Sequence, residues 1–399
     1  MPNIYYFCHI SIVPCVMVRI LVTACPVFVG AVLSGLAALG LWRRNDASHR
    51  YLLAFMLVAT LFQISHFLFF NQVRCLVPAA DTAFSFTLPA LFVFYYYYID
   101  SLTTTGRRTW AGWLSLLPSV VCLVMVGALY LAMGPEDTDA FVDGLYGAET
   151  AFSGRLAWQW LAHKMVIVVF ILQIGPVVWI TLKRIRSYND SVSKQYSDTD
   201  DKIVGQVFPP LFFIFFVFIV ALTCLFVSKF VLVHNNGIIY SVSIAFSLLL
   251  LLIGSHALER RFSFLDMARE EAQEEVQQPA AEPQVDETVL RKRVVHAIKT
   301  EKLFLQPNLK ISDLARHLHT NRSYIYNVVN VEMGISFAEL VNRERVAFAV
   351  ELMRQQPSLL LADVAVRSGF SSNVSFYRNF KKYQNCSPKE FLQQLNPDS

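Results

Sequence analysis

Arg378, Lys381 and Lys382 fall on one side of a short helical pattern whose other side carries Phe376 and Phe380. Cations held on a rigid apolar backing can do the chemistry of phosphate contact, because each one that meets a phosphate releases a condensed counterion. An arginine can also fork onto the edge of a guanine. Ser371 and Ser372, just ahead, offer hydroxyls that cap this helix. Ser368-Gly369 closes the helix before it, built on Leu361, Val364 and Ala365, since glycine takes positive φ at no steric cost. The same plan occurs once upstream. Ile311, Leu314, Ala315 and Leu318 recur at amphipathic spacing, Thr320 and Asn321 supply capping oxygens, and Tyr324, Ile325 and Val328 line one face of the next helix beside Arg322. Two helices joined by a short turn can seat the second in a DNA major groove. One such pattern is common in ordinary helical cores. Two of them, basic on the outer face and joined by a long helix over Ser336–Met353, are far more specific.

The stretch from Leu309 to Phe391 resembles the DNA-binding domain of the AraC/XylS family. The residues that carry the resemblance are Leu314-Ala315, Gly334, Phe337, the run Asn342-Arg343-x-Arg345-x-x-x-Ala349, and Ala365-x-x-x-Gly369-Phe370. It continues through Ser372, Phe376, Arg378, Phe380-Lys381-Lys382 and Ser387-Pro388, and covers about a quarter of the chain. Asn385 stands where the family usually has Gly, a replacement that also tolerates the left-handed region. Leu392 stands where Arg is common, which predicts one phosphate contact fewer. The resemblance implies that the first reading helix meets bases through Asn321, Arg322, Tyr326 and Asn327, and the second through Ser372, Asn373, Tyr377 and Arg378. Lys381 and Lys382 then serve the phosphates, and the partner is double-stranded promoter DNA, read on two major-groove faces ~10 bp apart.

The chain has 399 residues, enough for two or three domains, and its 55% hydrophobic content and mean hydropathy of +0.43 exceed what a soluble protein carries. Its charge is uneven. Leu290–Ser399 holds 16 Lys/Arg against 9 Asp/Glu, net +7, and the remainder holds 18 against 21, net −3. A basic tail on a nearly neutral apolar body suggests a nucleic-acid module attached to a membrane.

Seven apolar runs precede that tail: Leu21–Trp42, Tyr51–Phe70, Ala83–Ile99, Trp113–Ala132, Leu161–Leu182, Pro210–Phe230 and Ile238–Leu258. Each has roughly the 17–25 residues that cross ~30 Å of hydrocarbon. With the N-terminus outside, the inner loops carry Arg43, Arg44, Arg50, Arg107, Arg108, Lys183, Arg184, Arg186, Lys194 and Lys202, against Arg19, Arg74 and Arg155 outside. This satisfies the positive-inside rule and delivers the C-terminus to the cytoplasm, as expected of a multi-pass protein of the bacterial inner membrane. Tyr95, Tyr96, Tyr97, Tyr98, Trp110 and Trp113 read as an aromatic belt at the inner interface, and Gly134–Arg155 as an acidic outer loop. The first twenty residues lack the basic start of a cleaved signal, and translation from Met17 would keep the first span whole.

The expected architecture is therefore all-α: a seven-helix transmembrane bundle over 1–258, an acidic, Gln- and Pro-containing linker over 259–289, and a cytoplasmic AraC-type double helix-turn-helix domain over 290–397. Glu259–Gln278 can prolong the seventh helix before Pro279 and Pro283 break it, and Thr288–Phe304 reads as the first helix of the C-terminal domain.

Polar groups at membrane depth are costly and mark functional positions. His66, His163 and Lys164 are the candidates for sensing a small ligand or membrane signal; Gln173 lies in the middle of the fifth span, Lys164 and Lys229 can snorkel to the interface, and Asp100 is nearly in water. The seven cysteines show no metal spacing, and Cys75 could pair with Cys25 or Cys15, which spacing alone cannot establish. No nucleophile elbow, zinc motif, phosphate loop or dinucleotide fingerprint is present, so neither an enzyme nor a metal or cofactor is expected. His296 has no ATP-binding domain after it, which excludes a sensor kinase. The reading is a membrane-anchored transcription regulator, a homodimer on DNA. It competes with a transporter or channel bearing a regulatory tail, and with a membrane-anchored interaction module that binds no DNA, which the basic tail disfavours.

Overall fold

A computed structural model describes residues 3–104, 110–147, 152–200, 202–204, 219–220, 229–259, 263–277 and 287–395. They divide into two compact units, Met1–Arg184 with Gln206–Arg260, and Ile185–Gly205 with Arg261–Ser399. The described residues are almost wholly helical.

The first unit is built from α1 (Asn3–Arg44), α2 (Ala47–Phe70), α3 (Val77–Thr103), α4 (Leu117–Tyr146), most of α5 (Gly154–Ser193) and α6 (Asn236–Glu259). Six helices among the described residues are long and apolar enough to cross a membrane. Of the seven apolar runs, Pro210–Phe230 lies outside the described residues except at Ile219, Val220, Lys229 and Phe230. α3 is the most enclosed helix, packed between α2 and α4. Phe28, Leu131, Leu172 and Trp179, by contrast, turn outward with 71–89% of their surface exposed. Apolar area exposed on this scale is compatible with a hydrocarbon surrounding.

Three expectations change here. α1 starts at Asn3, well before Leu21. The acidic stretch after Gly134 is largely helix rather than loop: Gly134, at φ +77°, breaks α4, and Pro135 restarts it as far as Tyr146. Proline suits a first helical turn, and Glu136 and Asp137 complement the dipole there. Finally, Tyr95, Tyr97 and Tyr98 are buried instead of forming an interfacial belt. The Tyr97 hydroxyl, for one, donates to the Gly112 carbonyl at 2.9 Å. Cys25 and Cys75 are separate, exposed thiols, so they form no bridge with each other, and the Cys15 side chain is outside the described set.

The second unit contains α7 (Phe264–Gln277), α8 (Glu287–Lys299), α9 (Ile311–His317), α10 (Arg322–Tyr326), α11 (Phe337–Gln355), α12 (Leu361–Arg367), α13 (Asn373–Gln384) and α14 (Pro388–Leu395). α7 does not prolong α6; it starts afresh after Ser263, whose N–H donates to the Asp266 carboxylate at 2.9 Å. α11 serves two hydrophobic cores. Its Phe337, Leu340 and Val341 join Leu290, Ile298, Leu314, Ile325 and Val328 in one core. Val346, Ala349 and Met353 join Val364, Phe370, Phe376 and Phe380 in the other. Each core backs one helix-turn-helix.

Candidate nucleic-acid interface

The two reading helices are capped as their sequences suggest. Asn321 caps α10, its side chain accepting from the Ser323 N–H at 3.1 Å, and the Ser372 hydroxyl caps α13 by accepting from the Ser375 N–H at 3.1 Å. Such caps satisfy donors that the helix leaves unpaired and contribute about 1 kcal/mol each. Gly369, at φ +82°, makes the turn before α13. A Cβ there would stand 2.6 Å from the Phe304 carbonyl oxygen, so the glycine is required by both backbone conformation and close packing. Asn385 takes the left-handed conformation at the C-cap of α13, with φ 58°.

On α13, Phe376 and Phe380 are fully buried while Asn373, Tyr377, Arg378, Lys381 and Lys382 face outward. On the first half, Asn327 is exposed, whereas Asn321, Arg322 and Tyr326 are half-buried. Arg322 is thus less open than its sequence position suggests. The first reading helix also changes pitch: α10 passes at Asn327 into a π-helical turn that runs to Glu332. On α13 the nominated Asn373, Tyr377 and Arg378 are exposed together with Val374, whereas on α10 the exposed residue is Ser323, which the sequence pattern does not nominate; the two helices sit on separate cores with α11 between them.

α11 also holds a fully buried guanidinium, that of Arg345. It donates to the carbonyls of Phe304 and Gln306, both at 2.8 Å, and to the Asn342 side chain at 3.2 Å. Burial pushes its pKa down to about 10, a shift opposed by the nearby Asp198. Arg345 is therefore a tie between elements and not a surface cation for DNA. One outward cation is already engaged: Arg378 is ion-paired with Asp200, which belongs to the segment Ile185–Gly205 of this same unit. The sequence pattern did not nominate Asp198 or Asp200. Their signal is an acidic cluster in a loop otherwise rich in Lys and Arg.

Within the first unit, His163 does not stand alone. Its Nδ1–H donates to the Gln159 carbonyl at 2.7 Å, which leaves Nε2 facing Asp81 Oδ2 at 3.0 Å. The Tyr130 hydroxyl donates to the same Asp81 oxygen at 2.8 Å. Asp81, His163 and Tyr130 are all buried, with the buried Gln159 side-chain amide beside them. Asp81 and Tyr130 are functional candidates that the sequence did not single out. His66 is elsewhere: its Nδ1–H donates to the Phe62 carbonyl at 2.9 Å, and the ring lines a small cavity with Thr23, Gln63 and Ser243. Lys164 lies over the Trp160 ring, 5.4 Å from its centroid. The geometry therefore separates the three expected sensing residues into distinct environments. Among the described residues, no group of His, Cys, Asp or Glu is arranged to hold a metal.

A family model described as a helix-turn-helix domain matches residues 314–394, and this region is an AraC-type helix-turn-helix domain. Among known proteins, the chain is similar to the regulatory protein PocR of Salmonella typhimurium, 27% identical over 160 residues, which is 40% of this chain and 51% of that protein. It is also similar to the Msm operon regulatory protein of Streptococcus mutans, 28% identical over 88 residues, 22% of this chain and 31% of that one. The HTH-type transcriptional regulator YtdP of Bacillus subtilis is 30% identical over 101 residues, 25% of this chain and 13% of that protein. The chain thus spans about half the length, or less, of these relatives. No solved structure matches.

Proposed function

We propose that this chain, which carries an AraC-type helix-turn-helix domain at its C-terminal end, is a membrane-anchored, sequence-specific transcription regulator that couples a signal at the membrane to promoter binding. The observation that carries the reading is the conjunction, in one chain, of that domain with six apolar helices whose outer faces suit hydrocarbon. Asn321, Arg322, Tyr326 and Asn327 read one major-groove face, and Ser372, Asn373, Tyr377 and Arg378 the next. Lys381 and Lys382 hold phosphates. The basic inner loops support an outside N-terminus and a cytoplasmic C-terminus in a bacterial inner membrane. Association of the spans brings two copies of the domain together on DNA. The signal enters at the buried Asp81–His163–Tyr130 cluster and at the cavity beside His66, with Lys164 at the membrane edge. A ligand or proton shifts the balance of arrangements only by its differential affinity for them.

The test is genome-wide capture of DNA bound to the tagged full-length protein, followed by binding of the captured fragment to purified protein across a salt series. Promoter-sized fragments are expected, with log K falling by roughly 0.9 per phosphate contact per log unit of salt. Capture no better than from an untagged strain would refute the reading. A reporter on the captured promoter then tests sensing: His163→Gln is expected to change its response at unchanged protein level.

A further inference from the structure

The segment after α5 docks on the AraC-type domain as a bound peptide would. The Ser197 N–H donates to the Leu309 carbonyl and the Ile311 N–H donates to the Gln195 carbonyl, both at 3.0 Å, so that Tyr196 and Lys310 form an antiparallel bridge. Ile311 opens α9, where the leading N–H groups have no partner inside the helix, and the segment supplies one. Tyr196 is 4% exposed; its hydroxyl donates to Glu270 of α7 at 2.9 Å. Lys310 meets the same carboxylate at 2.7 Å. One residue on, the Ser197 carbonyl accepts from Asn342 at 2.9 Å and its hydroxyl from Arg345 at 3.3 Å. Ser197, Asp198 and Thr199 are all buried. The segment then reaches α13, where Asp200 is ion-paired with Arg378 and accepts from the Ser372 hydroxyl at 3.4 Å. At its other end, the Lys194 carbonyl accepts from Asn330 of the first reading helix at 3.3 Å.

We infer that residues 194–200 are a built-in competitor for DNA: a strap of this chain that spans both helix-turn-helix halves and must withdraw from α13 before Arg378 and Ser372 can meet nucleic acid. The inference rests on the DNA-binding reading of the domain. Asp200 gives Arg378 what a phosphate gives it, an anionic oxygen at hydrogen-bonding range, and one guanidinium cannot serve both at once. An unreleased Asp200 also sets a negative charge against an approaching phosphate. The two parts of the strap hold with different strength. The Arg378–Asp200 pair is partly solvated and contributes little, so the acidic tip parts readily. The anchor at Tyr196–Thr199 is buried and bonded to α9 and α11 through Ser197 and Gln195. The strap is the direct continuation of α5, the helix that carries His163, so the tether and the candidate sensing cluster lie on one element of the chain.

The experiment measures binding of full-length protein in detergent micelles to a fluorescein-labelled mixed-sequence duplex of ~30 bp, at low salt where phosphate contacts dominate. Asp200→Asn is expected to tighten binding roughly threefold, the scale of a half-exposed ion pair. Ser197→Pro removes the strap's donor to Leu309 and loosens the anchor that carries Asp200 to α13, so it is expected to tighten binding by no more than Asp200→Asn does. Lys381→Ala, on α13 but outside the strap's contacts, should weaken binding. In parallel, hydrogen exchange of residues 194–200 in the wild type should quicken when the duplex is added, a readout that needs no variant to fold. If the wild type binds and Lys381→Ala weakens it, yet Asp200→Asn leaves affinity unchanged and the duplex does not speed exchange in the strap, the competitor is refuted while the DNA reading stands. If no form binds the duplex, both fall.

Discussion

The first helix-turn-helix half and the second share a plan, yet they are held in different ways. The helix of the first half is short, shifts into a π turn at Asn327, and meets the strap at its edge, where Asn330 bonds the Lys194 carbonyl. The second is a regular twelve-residue helix whose N-cap Ser372 and outward Arg378 are themselves engaged by Asp200. The strap meets the first half through backbone bonds and a buried tyrosine under Lys310, and the second through an ion pair at an outward arginine. Two modules with the same fold can thus differ in availability without differing in core.

The largest effect that could break this comparison lies in the cores. Phe376→Ala in the second half removes a fully buried ring and should cost ~3–5 kcal/mol. Hydrogen exchange on the full-length protein should then show α12–α14 losing protection first, with α9 keeping most of its own. Phe337→Ala should do the reverse. Equal loss across both halves from either change would mean one cooperative unit and erase the distinction.

Arg345 ties the halves together, and its removal is the next largest effect. Arg345→Met leaves the carbonyls of Phe304 and Gln306 without their donors, at a cost of about 3 kcal/mol. Arg345→Lys should recover only part of that, because an ammonium cannot reproduce the fork. A melting temperature unchanged in both would show that the tie is idle.

A smaller pair of changes concerns reading. Arg322→Ala should alter base preference and cost ~1–3 kcal/mol on the preferred site alone. Lys381→Ala should weaken all duplexes by a similar factor. Affinity across a randomised library distinguishes them; the same uniform loss from both would mean that the assigned roles are wrong.

The smallest effect tests the end of the second half. The N–H of Ser387 donates to Glu390 at 2.6 Å and holds its carboxyl below the usual glutamate range, with the Ser387 hydroxyl adding to it. A depressed carboxyl pKa stabilises the fold above its unfolded value, and that contribution disappears as pH falls through the folded one. Exchange protection of α14 should therefore drop in acid, and Glu390→Gln should flatten the profile at its acid end. An unchanged profile in the variant would remove Glu390 as the cause.

Much of this was legible because local chemistry decides it. Asn321 and Ser372 cap where a side-chain oxygen is needed, Gly369 turns where a Cβ cannot fit, and the aromatic pair Phe376 and Phe380 marks the inward face of α13. The apolar runs were equally plain, since hydrocarbon demands length and composition. What escaped are contacts between distant parts of the chain. Asp200 meets Arg378, and Asp81 meets His163, across separations that no periodicity spans. The tyrosines of α3 show the same limit: amphipathic rings suit an interface, but only packing reveals that Tyr97 finds its partners inside the bundle.

The π turn at Asn327–Glu332 has a consequence for chain length. Such a turn is an α-helical stretch carrying one residue more than its ladder needs. Loss of a single outward residue there, Val331 for example, would let the turn relax to ordinary α geometry and leave Gly334 and everything after it in phase. The same deletion inside α13 would rotate all following side chains by about 100°, carrying Phe380 out of its core. The first helix-turn-helix half can thus absorb a one-residue deletion at this turn, and lineages of this chain should be shorter by one there before they change length within α13.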